Sequence, residues 1–317
     1  MRVKDRTQSD SQQCAQYQME SGLPVYKVID DTEASDPFLL FDHIGPVTFR
    51  PGEAVGAADH PHRGMELISV LLQGSVHHAD SAGHDSVLPA GTVQHIRFGR
   101  GLVHFEMPGP ALVESGGTLE GYQIWVNLPP ADKLCNPVYT EVAPDDLPRV
   151  RTEDGGAEIR VISGTSHGVE GAVSCVTPVL LLDVQLIRRD ASVKLEIPDQ
   201  YGCAFAYCFS GSSAIVGGRP LPPHWRASLG QGESLLVSTD SEPCHLLIGA
   251  GVPLREPVVK YGPFAMCTEQ EIREAVQDYR QGLMGECPPP GAAERQRQIN
   301  AALALQKANA DSASDGN

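Results

Sequence analysis

The chain has 317 residues, which is enough for roughly two domains of ordinary size. Its 40 acidic and 24 basic residues give a formal net charge of −16. Proteins that bind nucleic-acid phosphates carry positively charged surfaces, so we expect no direct nucleic-acid binding. Hydrophobic residues make up 41% of the sequence and charged residues 20%, so the chain can bury a core and global disorder is excluded.

The same composition sets expectations about location. No apolar run approaches the roughly 18 residues of a membrane-spanning helix, so we expect no membrane insertion. The polar opening, residues 1–20, predicts an unexported cytoplasmic protein, and a nuclear location is kept for the regulatory alternative below although we find no nuclear-entry signal. The eight cysteines form no CxxC pair, which favours unpaired thiols in a reducing compartment.

Between residues 46 and 251, short apolar runs are separated by Gly and Pro without any long helical period, which indicates an all-β protein. Strands are predicted at 67–72, 92–98, 102–107, 122–127, 180–187, 193–197, 204–209 and 245–248. One helix is predicted over 268–281, because Thr268 and Glu271 form a capping box ahead of apolar residues at helical spacing. The polar segment 286–317 is predicted to be a flexible tail.

Two turn patterns suggest that a β unit is duplicated. Residues 71–75 are echoed by 208–212, and residues 88–91 by 229–232, at nearly the same spacing. The two copies would join around 145–157, although chance similarity between glycine turns is the alternative. At this spacing His104 corresponds to His245 but Glu106 to Leu247, so the second copy is predicted to lack a metal site.

Eight of the eleven histidines lie between residues 43 and 104. Residues two apart project from the same face of a strand, so His60 with His62, and His104 with Glu106, each present two ligands to one side. Two such pairs on neighbouring strands would surround one ion with three imidazoles and a carboxylate. This mixed nitrogen and oxygen set suits Fe(II) best, and Mn, Ni, Cu or Zn are the alternatives.

The other histidines receive different interpretations. His77 and His78 are adjacent, so they face opposite ways in a strand, and we interpret them as part of a solvated hairpin. His95 is interpreted as a pocket residue behind the ligands. The remaining ones are assigned to turns, local pairing, surface or core, namely His43, His84, His167, His224 and His245.

Several motifs in order resemble the pirin family of the cupin superfamily, over residues 24 to 285. The resemblance is carried by 36–42 (DPFLLFD), 60–64 (HPHRG), 99–108 (GRGLVHFEMP), 125–129 (WVNLP), 255–259 (REPVV) and 261–264 (YGPF).

This resemblance implies two tandem cupin barrels, of the double-stranded β-helix type, with a C-terminal helix. The divisions would be an N-terminal arm at 1–23, a metal-binding domain at 24–148, a metal-free domain at 149–285 and the tail. It carries the ligand roles to His60, His62, His104 and Glu106, with Glu66 as a reserve ligand because many other cupins place their glutamate there. The chain departs from the usual family residues at positions that border the pocket, namely Met65, Leu67, His95, Arg97 and Phe98.

Two functions follow from the resemblance. The first is a dioxygenase that cleaves a flavonol such as quercetin and expels carbon monoxide, with Glu106 as the base and Arg63 or Arg100 supporting the substrate. The alternative is a non-enzymatic, iron-dependent redox sensor that binds a transcription factor, which the acidic charge would suit. A degenerate bicupin without catalysis is the third interpretation. We expect a monomer, because one chain supplies both barrels.

Overall fold

The structure is a computed structural model that describes residues 4–19, 21–239 and 241–287. Strands account for 54% and helices for 7%, which confirms the predicted all-β class. Within these described ranges, no helix is long and apolar enough to cross a membrane. The predicted tail lies outside the described residues from residue 288 onward.

Strand β1 (Gln8–Gln13) belongs to the second barrel, and the eleven strands that follow it build the first barrel. They are β2 (Ala15–Gln18), β3 (Pro24–Ile29), β4 (Phe38–Phe49), β5 (Ala57–His62), β6 (Met65–Gln73), β7 (Ser75–Asp80), β8 (Asp85–Pro89), β9 (Val93–Arg97), β10 (Leu102–Pro108), β11 (Gly117–Asn127) and β12 (Val138–Val142). A seven-stranded sheet runs in the order β12-β9-β6-β11-β4-β3-β2, and a four-stranded sheet in the order β5-β10-β7-β8. Helix α1 (Pro110–Ser115) joins β10 to β11.

The second barrel repeats this plan. Its strands are β13 (Arg149–Arg151), β14 (Ala157–Ser163), β15 (Thr165–Ser166), β16 (Val169–Glu170), β17 (Val179–Leu186), β18 (Ser192–Glu196), β19 (Cys203–Gly211), β20 (Ala214–Val216), β21 (Arg219–Leu221), β22 (Trp225–Leu229), β23 (Ser234–Ser238) and β24 (Cys244–Gly251). Seven strands form the order β1-β22-β19-β24-β17-β14-β13, and four the order β18-β23-β20-β21. The hairpin β25 (Val259–Tyr261) and β26 (Phe264–Met266) precedes helix α2 (Glu269–Arg280).

All eight strands predicted from the sequence are present, with ends that differ by a few residues. The predicted helix is also confirmed, because Thr268 caps α2 and forms the capping box with Glu271. Strands outside the predicted set include β1 to β4, β12 to β16, β20 to β23, β25 and β26, and the short helix α1 was not predicted either.

Alternation along β6 shows how the two barrels meet. Leu67 packs inside the first barrel, whereas Ile68 and Val70 belong to a core that also contains Tyr207 and Leu247 of the second barrel. The two seven-stranded sheets therefore pack against each other through their outer faces. The central strands of these sheets, such as β17 and β19, are buried on both faces, which accounts for their nearly continuous apolar sequences.

A buried ionic cluster also lies at this interface. Asp183 on β17 is fully buried and bonds to Arg160 and to Nε2 of His245, the latter at 2.8 Å. The Tyr122 hydroxyl of the first barrel donates to the same carboxylate at 3.5 Å. His43, placed by sequence in local pairing, instead lies between the barrels with Nδ1 2.9 Å from the Tyr207 hydroxyl.

The N-terminal arm joins both barrels. Strand β1 pairs with β22 of the second barrel, and β2 pairs with β3 of the first. Between the strands lies Cys14, which is buried. Ahead of β1, the guanidinium of Arg6 is buried and donates to backbone carbonyls at Ile197, Pro198, Tyr201 and Gly230. The arm is thus an integral part of both sheets.

The structure confirms the duplication but corrects its register. Gly74 ends β6 and Gly211 ends β19, each with a left-handed φ (+87° and +92°), so the first echo joins equivalent turns. The second echo was wrong, because 88–91 connects β8 to β9 whereas 229–232 connects β22 to β23. The true counterpart of 229–232 is the turn 98–101, since the order of the strands is the same in both barrels.

This correction changes which residues replace the predicted ligands. Strand β23 is the counterpart of β10, and its inward-facing residues Leu235 and Val237 take the place of the inward-facing pair His104 and Glu106, whereas His245 and Leu247 lie on β24. Leu235 and Val237 are fully buried in the apolar core of the second barrel. The inward-facing side chains of β23 are therefore apolar, whereas those of β10 include an imidazole and a carboxylate.

Candidate metal centre and cavity

Strands β5 and β10 bring three predicted ligands together. The strands are antiparallel, with His60 opposite His104 and His62 opposite Leu102. One nitrogen of each of the three histidines lies within 4.8 Å of the others, and the ring centroids are 4.4 to 5.0 Å apart. The two-residue spacing of the HxH motif places both of its rings on one side of β5, as predicted.

Backbone carbonyls orient two of these rings. Nδ1 of His60 donates to the Ala58 carbonyl at 2.6 Å, and Nδ1 of His62 donates to the Pro263 carbonyl at 3.2 Å. Because a carbonyl can only accept, Nδ1 carries the proton in each ring, which leaves Nε2 with a lone pair for a ligand. Such carbonyl contacts are typical of histidines that bind metals.

His104 is fully buried, and neither of its ring nitrogens has a hydrogen-bond partner. Such a group costs about 1–3 kcal/mol when it stays unsatisfied. Burial, followed by the neighbouring His60, holds the pKa of His104 and of His62 well below the usual value, so both rings are neutral, which is the form that binds metals. An orphaned buried imidazole beside two oriented ones fits a bound cation.

Glu106 approaches the same centre from the other side of His104. A register shift between His104 and Glu106 interrupts their pairing with β5, and Glu106 forms a second close group with His104 and His78, whose ligand atoms all lie within 4.8 Å of one another. His104 is common to both groups. The four predicted ligands therefore fall into two close groups that share His104, and His78 is an additional member of the group that contains Glu106.

His78 was wrongly interpreted as part of a solvated hairpin. It is fully buried opposite Glu106, its ring stacks on Tyr139 at 4.8 Å, and its Nδ1 has no partner. Asp80 lies 3.4 Å from its Nε2 and 2.8 Å from Nδ1 of His84. The spacing His-x-Asp in β7 places His78 on the same face as Asp80, but this signal alone does not say which of His77 and His78 faces inward.

Glu66 and His95 lie on the opposite face of the sheet from the three histidines. Glu66 is fully buried, with Oε1 3.1 Å from Nε2 of His95 and 3.3 Å from Nε of Arg97, while Oε2 accepts from the Val176 backbone at 2.9 Å. Cys175 is also close. Because this carboxylate already has three partners, including a cation, the cluster is satisfied without a metal.

The two arginines proposed to support the substrate lie elsewhere. Arg63 is buried, donates from Nε to the Arg100 carbonyl at 2.6 Å and pairs through Nη1 with Asp278 of α2 at 2.8 Å. The Arg100 side chain is exposed. Arg63 therefore ties α2 to the turn after β5. Gly64 completes this turn at φ +83°, because a Cβ there would lie 2.1 Å from the Ala265 carbonyl oxygen.

A cavity of about 280 Å³ opens beside the histidines inside the first barrel. His60, His62 and Glu106 line it at one end, and most of the remaining wall is apolar. Met19 and Leu23 at the end of the N-terminal arm also contribute. Concave apolar cavities with a few convergent polar groups are the usual form of small-molecule sites.

Comparison with known proteins agrees with this geometry. The chain matches the family model described as Pirin over residues 19–126 and the Pirin C-terminal cupin domain over residues 181–285. It is 38% identical to human pirin over 256 residues, which cover 79% of this chain and 83% of the human protein. A pirin-like protein of Solanum lycopersicum is 38% identical over 254 residues, covering 79% and 82% of the two chains.

A solved structure gives the same result. The crystal structure of quercetin 2,3-dioxygenase from Acinetobacter baumannii is similar with a TM-score of 0.82 and 30% identity, covering 89% of this chain and 99% of that one. The prediction of two cupin domains with a C-terminal helix is confirmed. The chain therefore belongs to the pirin family of the cupin superfamily.

Proposed function

We propose that this chain is a dioxygenase that holds one Fe(II) and opens the heterocyclic ring of a flavonol such as quercetin. The observation that carries the proposal is His104, a buried imidazole with no partner for either nitrogen, beside two oriented histidines at the end of an apolar cavity. The likeness to quercetin 2,3-dioxygenase supports a dioxygenase-like enzyme. A filled or shallow site would instead have favoured a purely regulatory role.

The residues that would hold the ion are His60, His62, His104 and Glu106. Their three neutral imidazoles and one carboxylate suit Fe(II), and Mn, Ni, Cu or Zn are compatible with the same donors. When bound there, the ion supplies Lewis acidity toward a substrate hydroxyl and the redox capacity that a reaction with dioxygen needs.

The side chains of the site then have separate tasks. Glu106 is half-buried on the cavity wall and would accept the proton of the flavonol hydroxyl. The apolar wall excludes water from the activated ring. In the overall reaction both atoms of O2 enter the organic product, two carbon–carbon bonds of the heterocycle break, and the carbon between them leaves as carbon monoxide.

Metal content and turnover together test the proposal. The purified protein is expected to hold about one iron per chain and, in air, to bleach quercetin with release of one carbon monoxide per substrate. Bound iron without turnover of quercetin would overturn the enzymatic proposal and favour the iron-dependent regulator, for which binding to a transcription factor is then the measurement. Absence of any bound metal would overturn both.

The variant Glu106→Gln is expected to turn over quercetin roughly 10²- to 10⁴-fold more slowly per bound iron, because the amide cannot accept the hydroxyl proton. The measurement is kcat normalised to iron content. Glu114→Gln, on the exposed surface of α1, is the matched control and should behave as the wild type. A normal kcat per iron in Glu106→Gln would show that another group is the base.

A further inference from the structure

Three polar atoms on the cavity wall are buried and have no hydrogen-bond partner: Nε1 of Trp125, Oε1 of Gln94 and Oγ1 of Thr92. Each of these residues is more than nine-tenths buried. Nε2 of Gln94 donates to the Tyr139 hydroxyl at 3.4 Å, so one polar atom of the amide stays unpaired whichever way it is turned. Buried polar atoms are normally satisfied, so three around one cavity point to a molecule that satisfies them.

Strand register gives the depth of each atom. Trp125 lies opposite Leu67 on β6, and its ring is 5.1 Å from that of His62, so its Nε1 belongs to the metal end. Gln94 lies opposite Ser69, which is two residues farther along β6 and hence roughly 7 Å deeper. Thr92 lies one further step along, where its carbonyl accepts from the backbone of Leu71.

Apolar side chains surround these polar atoms. Leu71, Leu88 and Leu119 line the same cavity and offer nothing to a polar ligand except contact with its hydrocarbon. A ligand that satisfies all three atoms therefore has a flat apolar body, an acceptor oxygen near Trp125 and a polar hydrogen at the level of Gln94. An unpaired amide oxygen in such a wall discriminates against ligands that have no polar hydrogen to donate to it.

We propose that Gln94, assisted by Thr92, is the specificity-determining residue of this cavity and selects substrates with a hydroxyl on the ring farther from the metal, while Trp125 donates to an oxygen at the metal end. The inference rests on the proposed function, because the metal end defines which part of the substrate enters first. It concerns recognition rather than the chemical step, so it is tested by binding.

The test titrates the iron-loaded protein without oxygen with kaempferol and with galangin, two flavonols that differ by one hydroxyl on the pendant ring. Binding is followed by quenching of Trp125 fluorescence in a Trp225→Phe background, since the chain has only these two tryptophans. We expect the Kd of kaempferol to be roughly tenfold lower than that of galangin. In Gln94→Leu the two Kd values should become equal, chiefly through weaker binding of kaempferol.

Gln270→Leu is the control, because Gln270 lies on the exposed surface of α2 and does not line the cavity. It should keep the tenfold preference. Equal affinities in the wild type, or a preference that survives in Gln94→Leu, would overturn the inference even if quercetin is turned over. A preference lost in Gln94→Leu without any turnover would support the inference and overturn only the proposed reaction.

Discussion

The variant His104→Ala is expected to lose its bound iron and all measurable turnover. Its metal affinity should fall by more than the roughly 10- to 100-fold that changes behind metal ligands cause, because His104 belongs to both close groups at the centre. The fold should survive, since the substitution removes two buried nitrogens that have no hydrogen-bond partner. Iron per chain and the thermal unfolding temperature are the two measurements.

His77→Ala is the control for this variant. His77 is the neighbour of His78 on β7, but its Nε2 lies 2.7 Å from the exposed carboxylate of Asp85. This variant should therefore keep wild-type iron content. Equal iron in His104→Ala and the wild type would refute the ligand assignment.

The variant Asp183→Asn is expected to lose about 3–5 kcal/mol of unfolding free energy, because it leaves the Arg160 guanidinium without its carboxylate in the interface between the barrels. His245 and the Tyr122 hydroxyl lose the same acceptor charge. Urea unfolding at neutral pH measures this loss. Asp145→Asn, at an exposed position, is the control and should change the free energy by less than about 0.5 kcal/mol.

The effect of Asp183 should depend on pH in a defined direction. Burial alone would raise its pKa, but His245 and Arg160 outweigh burial and lower the pKa from 3.8 to about 2. Because the carboxylate has a lower pKa in the folded protein than in the unfolded chain, its charge stabilises the fold at pH values above the unfolded pKa. This stabilisation is lost as the pH falls from about 4 toward 2. The difference between wild type and Asp183→Asn should therefore be smaller at pH 3 than at pH 6, and a constant difference would contradict this account.

The candidate ligands could be singled out from the sequence because their spacing is local. The pair His60 and His62 is separated by two positions, and so is the pair His104 and Glu106. This spacing alone places both members of a pair on the same face of a strand, whatever the rest of the fold. The capping box of Thr268 and Glu271 is local in the same sense and was confirmed.

His78 could not be assigned because its neighbour is also a histidine. Alternation requires that one of His77 and His78 faces inward, but it does not say which. The choice depends on the pairing of β7 with β10, which places His78 opposite Glu106. That pairing is a property of the whole barrel.

Glu66 and His95 illustrate a related limit. In both β6 and β9 one face lines the first barrel and the other contacts the second, so both faces are buried and alternation no longer marks the inside. Arg63 depends on an equally distant contact, since its partner Asp278 lies on α2. The duplicated turns were misaligned because short glycine turns resemble one another in sequence.

The arm that joins the barrels has a consequence for biosynthesis. Strand β1 leaves the ribosome long before its partner β22, which begins only at Trp225. At synthesis rates of about 5–20 residues per second, the nascent β1 waits on the order of 10 to 40 s for its partner. During this interval its edge is unpaired and open to other chains. Chaperone capture of the emerging β1 would therefore increase the yield of folded protein, and removal of this segment would avoid the wait but leave β22 as an unpaired edge without the Arg6 contacts.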